Sequence, residues 1–284
     1  MSENRWRSRR IGYLLAPMKL PILMATALPL FSNVFAGVKS GHAEAELLSG
    51  VSSFQVGKPV PLGIRLKFDP GWHGYWINPG EAGMPLSAKW TLPEGWKAGE
   101  LRHPVPKSFK TGELSGFGYE GEAVYLVDLV PPAGASDAAE CRVKLSWLTC
   151  NDSACVPGDV ELSLTLPAGD GSPGKAADVL AAAEKKIPAA PGEEVSLNVK
   201  EAGDAVTLQI SAPESLDLTG VKAYPATPQT LADTAELVFT RTNGTWTAEV
   251  PKNEYAEGPI TLLDIVLDGG KLSAPLSVSW RAKK

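Results

Sequence analysis

Along residues 46–168, apolar side chains recur at every second position and are interrupted by proline and glycine turns. Leu62, Ile64, Leu66 and Phe68 fall on one face of such a run, with Gly63, Arg65 and Lys67 on the other. Leu86, Ala88, Trp90 and Leu92 repeat the pattern ahead of Pro93-Glu94-Gly95. Further runs lie at Ala123 to Val130, at Val143 to Trp147, and at Val160, Leu162, Leu164 and Leu166. A period of two sends alternate side chains to opposite faces of a strand, so each run predicts a strand with one face in a core. Short strands at this spacing predict a β-sandwich.

Residues 169–192 break the pattern. Gly169-Asp170-Gly171-Ser172-Pro173-Gly174 is a cluster of turn formers, Ala176 to Lys186 is a short alanine-rich helical stretch, and Pro188 to Gly192 interrupts the chain again. This composition predicts a linker between domains. From residue 193 to 284 the alternation resumes at Val195-Leu197-Val199, Val206-Leu208-Ile210, Leu237-Phe239, Ile260-Leu262 and Leu276-Val278-Trp280. The fold class expected is therefore all-β: two β-sandwich domains joined by a short helical linker.

Composition supports this reading, since 28 glycines and 24 prolines suit many strands and turns better than a helical bundle. The first 36 residues read as an export signal rather than as part of the fold. Arg5, Arg7, Arg9, Arg10 and Lys19 make a basic start, Leu20 to Phe31 an apolar core, and Val34-Phe35-Ala36 a small-residue cleavage site. Ala43-Glu44-Ala45 is a second candidate site, and Ser8-Arg9-Arg10 bears a faint likeness to a twin-arginine signal. The apolar core is shorter than the roughly 20 residues of a membrane span. Without residues 1–36 the chain keeps 22 basic residues (27 less 5) and 31 acidic ones (32 less 1), a net charge of −9. So acidic a protein is a poor partner for nucleic acid or anionic lipid.

An odd number of cysteines in an exported chain asks for an account of each. Cys141 shares a strand face with Val143, Leu145 and Trp147 and reads as a core residue. In an extended strand it lies about 30 Å from Cys150, far beyond the roughly 7 Å over which Cα atoms can be bridged. Cys150 and Cys155 end and begin two strands across Asn151-Asp152-Ser153-Ala154, and a hairpin of that length sets them opposite each other. Such a pair is either a structural clip or a redox couple. A clip over so short a loop contributes only about 2 kcal/mol, so spacing alone leaves the two readings level.

At these residues the chain resembles a known family. Trp147 to Gly158 is similar to the cysteine-bearing hairpin in the amino-terminal periplasmic domain of DsbD-type thiol:disulfide interchange proteins, including the ScsB-like branch. Pro70-Gly71-Trp72-His73-Gly74-Tyr75-Trp76-Ile77-Asn78-Pro79-Gly80 is a second shared motif, and Phe109 followed by Gly116-Phe117-Gly118-Tyr119-Glu120-Gly121-Glu122 is a third. The resemblance implies an immunoglobulin-like sandwich in the periplasm, with no cofactor and a tie to copper tolerance in the ScsB-like branch. It implies electrons taken from a membrane-embedded DsbD/ScsB-like cysteine pair. Oxidised periplasmic acceptors, either disulfide isomerases or thioredoxin-like proteins of cytochrome maturation, receive them. By position, Cys150 and Cys155 are the redox pair, with Cys155 bonding the partner and Cys150 resolving. His73 and Tyr75 correspond to the aromatic strand beside the pair, and Phe117 and Tyr119 to the cap over it. The chain departs from the classical member in having one residue fewer between its cysteines and in lacking the membrane and thioredoxin-like domains.

Two other classes compete. Copper binding through thiols and His73 has little support, because only Met84, His42, His73 and His103 accompany the cysteines beyond residue 36 and no pair has ligand spacing. A non-catalytic binding sandwich is the other, but tryptophan at strand positions is more often core than binding surface. No Ser/His/Asp triad, phosphate loop or carboxylate pair emerges.

Overall fold

The computed structural model describes Met1, residues 37–233 and residues 235–283. The expected export signal falls on residues that lie outside the described ones. Among the described residues the protein is all-β apart from one short helix. The amino-terminal half comprises β1 (Val38–Ser40), β2 (Ala43–Ser49), β3 (Val60–Phe68), β4 (His73–Gly80), β5 (Ser87–Thr91), β6 (Lys97–Ala98), β7 (Lys107–Thr111), β8 (Leu114–Glu120), β9 (Glu122–Val130), β10 (Ala139–Cys150) and β11 (Cys155–Leu166). Helix α1 (Ala177–Glu184) follows. The carboxy-terminal half comprises β12 (Ser196–Ala202), β13 (Ala205–Ser211), β14 (Val221–Pro225), β15 (Thr240–Thr242), β16 (Thr245–Pro251), β17 (Leu262–Gly269) and β18 (Leu276–Arg281).

Each half is an immunoglobulin-like sandwich of two antiparallel sheets. In the first, the order β1-β2-β3-β9-β6 faces β11-β10-β4-β8-β7, with β5 also paired to β10. The alternation read from the sequence is the packing that closes it. Leu62, Ile64 and Leu66 from one sheet meet Cys141, Val143, Leu145 and Trp147 from the other, and none is more than 1% exposed. Fully burying a side chain of this kind contributes roughly 1.5–3 kcal/mol, which makes the double layer the main source of stability. The sandwich starts upstream of residue 46. Ala43 and Ala45 of β2 are buried in the core, so the second candidate cleavage site lies inside a strand.

The alanine-rich stretch forms the expected helix, but α1 is not a free connector. Leu180 and Ala183 pack with Leu48 and Leu126 on the outer face of the first sheet. Gly63 of β3 lets the helix come down, because a Cβ there would stand 3.2 Å from Leu180. The second sandwich pairs β12-β13-β16-β15 against β14-β17-β18. Its penultimate strand corrects the sequence reading by one position. Leu263, Ile265 and Leu267 point into its core, whereas Leu262 is only half-buried. The apolar run hid that phase because β17 is covered on both sides. Val266, on the opposite face of β17, and Tyr224 of β14 join the core of the first sandwich. Leu237 and Phe239 are buried as expected, although no strand forms there.

Candidate functional site at the Cys150–Cys155 hairpin

β10 and β11 pair over their whole length, and the register ends on Cys150 opposite Cys155. The four residues between them fold back on one side chain. Asn151 Oδ1 accepts from the backbone N–H groups of Ser153 and Ala154, both at 2.8 Å, and Asn151 N–H donates to Ala154 O at 2.9 Å. This Asx turn pre-forms the hairpin and brings the cysteine Cα atoms to 4.1 Å, where they form a disulfide with S–S 1.99 Å. Next to it, the buried Thr149 hydroxyl donates to Gly41 O, tying the hairpin to the β1–β2 turn. The two sulfur-bearing residues differ in access: Cys150 is 0% exposed and Cys155 is exposed.

The cross-strand register sets the neighbours. Cys155, Cys150, His73 and Glu120 form one row across β11, β10, β4 and β8. Tyr75 lies opposite Gly118, and Gly118 opposite Lys107, one row further along. Phe109 of β7 stands opposite Gly116. Its ring leans over the two glycines to meet His73 at 4.1 Å and Tyr75 at 5.7 Å, and His73 meets Tyr75 edge-on at 5.4 Å. A Cβ on Gly116 or on Gly118 would stand 2.9 Å from the Phe109 ring, and one on Gly118 would also come within 1.9 Å of Gly74 O. These glycines are the floor on which the aromatic group rests.

His73 is 6% exposed, and its Nε2 pairs with the Thr111 hydroxyl at 3.1 Å. Burial lowers its pKa from the ordinary value, opposed by the nearby carboxylates of Glu120 and Asp152. Burial thus favours the neutral imidazole one strand from Cys150, which puts no fixed charge beside the sulfurs. Cys141 plays no part here. It is fully buried, unpaired, and its thiol is pushed up to about 11, first by burial and then by Glu140.

Four of the six residues singled out from the sequence are brought together: Cys150, Cys155, His73 and Tyr75. Phe117 and Tyr119 are not, which corrects the expected position of the cap. On β8 they alternate with Gly116, Gly118 and Glu120 and therefore face the core. The Phe117 ring lies 6.3 Å from Trp76 and 6.0 Å from Tyr224, and Tyr119 donates from its hydroxyl to Pro104 O at 2.8 Å. Burial raises the Tyr119 phenol pKa well above its usual value. The aromatic ring that covers His73, on the disulfide face of the sheet, is Phe109, and Thr111 bonds the same imidazole. The signal for it was present in the sequence, as glycines at two alternate positions of a strand that an aromatic residue can cross. Among the described residues, no group of three or more His, Cys, Asp or Glu side chains is placed to hold a metal ion.

Residues 44–167 match the family described as thiol:disulfide interchange protein DsbD, N-terminal. The chain is also similar in structure to the N-terminal periplasmic domain of ScsB from Proteus mirabilis. That similarity has a TM-score of 0.61 and 21% identity, and covers 84% of this chain and 93% of the other. The N-terminal domain of DsbD from Neisseria meningitidis, in the reduced form, aligns over 46% of this chain and 87% of its own, at 13% identity. Its TM-score of 0.28 is too low to add to the fold assignment. No curated protein matches the chain. With the family match over its first sandwich and a Cys150–Cys155 disulfide on the β10–β11 hairpin of that sandwich, the chain carries a DsbD-type amino-terminal domain for thiol–disulfide exchange over residues 44–167.

Proposed function

We propose that this protein relays reducing equivalents in the periplasm, from a membrane-embedded cysteine-pair protein to oxidised thioredoxin-like or disulfide isomerase acceptors. The observation that carries the reading is the asymmetry of the pair: one sulfur-bearing residue is open to a partner and the other is sealed behind it. A donor thiolate attacks Cys155 Sγ, and Cys150 leaves as a thiolate. The donor's second thiol then resolves the mixed disulfide, leaving the donor oxidised and the pair reduced. In the second half, the Cys155 thiolate attacks the acceptor disulfide and expels one acceptor sulfur. Cys150 then attacks Cys155 Sγ, which re-forms the intramolecular bond and releases the acceptor as a dithiol. Two electrons and two protons pass in each half.

Exchange rates follow thiolate fraction and access. No lysine or arginine lies between the cysteines, and Asp152 sits in the turn, so thiolate formation is not favoured by local charge. Selectivity then falls to access: the exposed Cys155, and the Phe109–His73–Tyr75 group that covers the neighbouring strand. This support favours Cys155 as the partner-bonding thiol and Cys150 as the resolving one.

The test is trapping. A Cys150→Ser variant, lacking the resolving thiol, should accumulate a covalent complex with an oxidised thioredoxin-like acceptor that disappears on adding reductant. Cys155→Ser should trap little. The reverse pattern exchanges the two roles. No complex with either variant, together with a wild-type disulfide that survives mild reductant, identifies a structural clip and ends the exchange reading.

A further inference from the structure

The second sandwich contributes a wall to a cleft that begins where the disulfide cover ends. The cleft, of about 790 Å³, runs between β7 and β14 and is closed on a third side by residues 235–239. β7 is the last strand of its sheet and β14 the last of its own, so each presents an outer edge that no strand pairs among the described residues. Alternate backbone N–H and C=O groups along such edges stand free to bond an added strand. The two edges are held in fixed relation. Tyr224 of β14 packs edge-on against Trp76 and Phe117, and Asn78 Nδ2 of β4 donates to Pro225 O at 2.8 Å from a site 2% exposed.

The lining combines apolar surface with an excess of cations on the facing edges. Lys107 and Lys110 come from β7 and Lys222 from β14, all exposed, while Val238 presents an apolar side chain 58% exposed on the third wall. Of the two lining acids, Glu236 is exposed, and Asp233 accepts from Asn253 Nδ2 at 3.0 Å with its pKa raised by burial. In a protein of net charge −5 this is a local reversal of sign. Phe109 lines the cleft and also touches His73, so an occupant of the cleft lies beside the cover of the reacting pair.

We propose that this cleft binds an extended acidic segment of the partner protein, added as a strand between β7 and β14, so that the second sandwich takes part in partner recognition. The proposal rests on the exchange reading only for who the partner is. Edge lysines also discourage self-association of sheets, and the experiment decides between that role and docking.

The probe is a fluorescein-labelled peptide of alternating valine and glutamate, with a valine–lysine peptide as control, titrated into the oxidised full chain. The acidic peptide should raise anisotropy and the basic one should not. Hydrogen exchange should slow at residues 107–111 and 221–225 on binding. Lys110→Glu with Lys222→Glu should weaken binding roughly tenfold while leaving the thermal midpoint unchanged. Equal binding of both peptides, indifference to the charge reversals, absence of binding, or protection confined to other strands would each overturn the proposal. Reduction of Cys150–Cys155 by dithiothreitol, followed in the same proteins, reports separately on the exchange reading and should be the same in all of them.

Discussion

The two faces of the β4–β8 pair are both aromatic, but they behave as different materials. On the inner face, Trp76, Phe117 and Tyr119 are at most 7% exposed; Trp76 and Phe117 join the two sandwiches through Tyr224, and Tyr119 meets Tyr125 of the facing sheet. On the outer face, His73, Tyr75 and Phe109 cluster beside the disulfide over a floor of glycine. Both sets come from the same short stretches of chain, and a single step along a strand exchanges one face for the other. Aromatic content near a cysteine pair therefore does not locate its cover. Strand parity does, together with the absence of side chains that would otherwise lift the ring away.

The comparison breaks if inner-face residues control reactivity or outer-face residues control stability. The largest effect is expected from Phe117→Ala, which should cost about 3–5 kcal/mol by leaving a cavity between Trp76 and Tyr224. Chemical denaturation measures that loss. At a temperature where the variant is folded, its Cys150–Cys155 pair should react with a small thiol at the wild-type rate.

A smaller effect tests how the inner cluster extends. His103 packs edge-on to Tyr125 at 5.2 Å, its Nδ1 has no partner among the described residues, and burial lowers its pKa from 6.5 to about 4. The native state therefore resists a proton that the unfolded chain accepts. Its contribution is present in full above about pH 6.5 and is lost as pH falls toward about 4, on the order of 3 kcal/mol at the low end. Denaturation midpoints between pH 7 and pH 4 should show this slope in the wild type and a flatter one in His103→Gln. An unchanged slope in the variant would remove His103 as the cause.

The smallest effect sharpens the outer face. Phe109→Ala should speed reaction of the reduced pair with a small alkylating reagent roughly fivefold, an increase in access equivalent to about 1 kcal/mol. Phe109 is only half-buried, so the melting temperature should move little. If Phe117→Ala accelerates alkylation and Phe109→Ala does not, the cover lies on the face that the sequence motif first indicated.

Much of the architecture was legible because a strand writes its burial into alternate positions. Leu62, Ile64 and Leu66, or Val206, Leu208 and Ile210, could be placed from periodicity alone, and they are at most 1% exposed. The cysteine hairpin was legible too, since four residues between two strands bring their ends together whatever else the chain does. The phase of β17 was not. Its run of Leu262, Leu263, Ile265, Val266 and Leu267 is apolar on both faces, and only the docking of the two sandwiches explains why. Nor was the position of the cover, because Phe109 reaches His73 through a pairing of β7, β8 and β4 that brings together residues distant in sequence. The chain by itself determined which positions face a core wherever apolar and polar residues alternate, and which two sulfurs can bond, since these depend on local period and loop length. Only tertiary structure decided which aromatic rings lie beside those sulfurs, because that depends on strand register and on the glycines that let one ring cross the sheet.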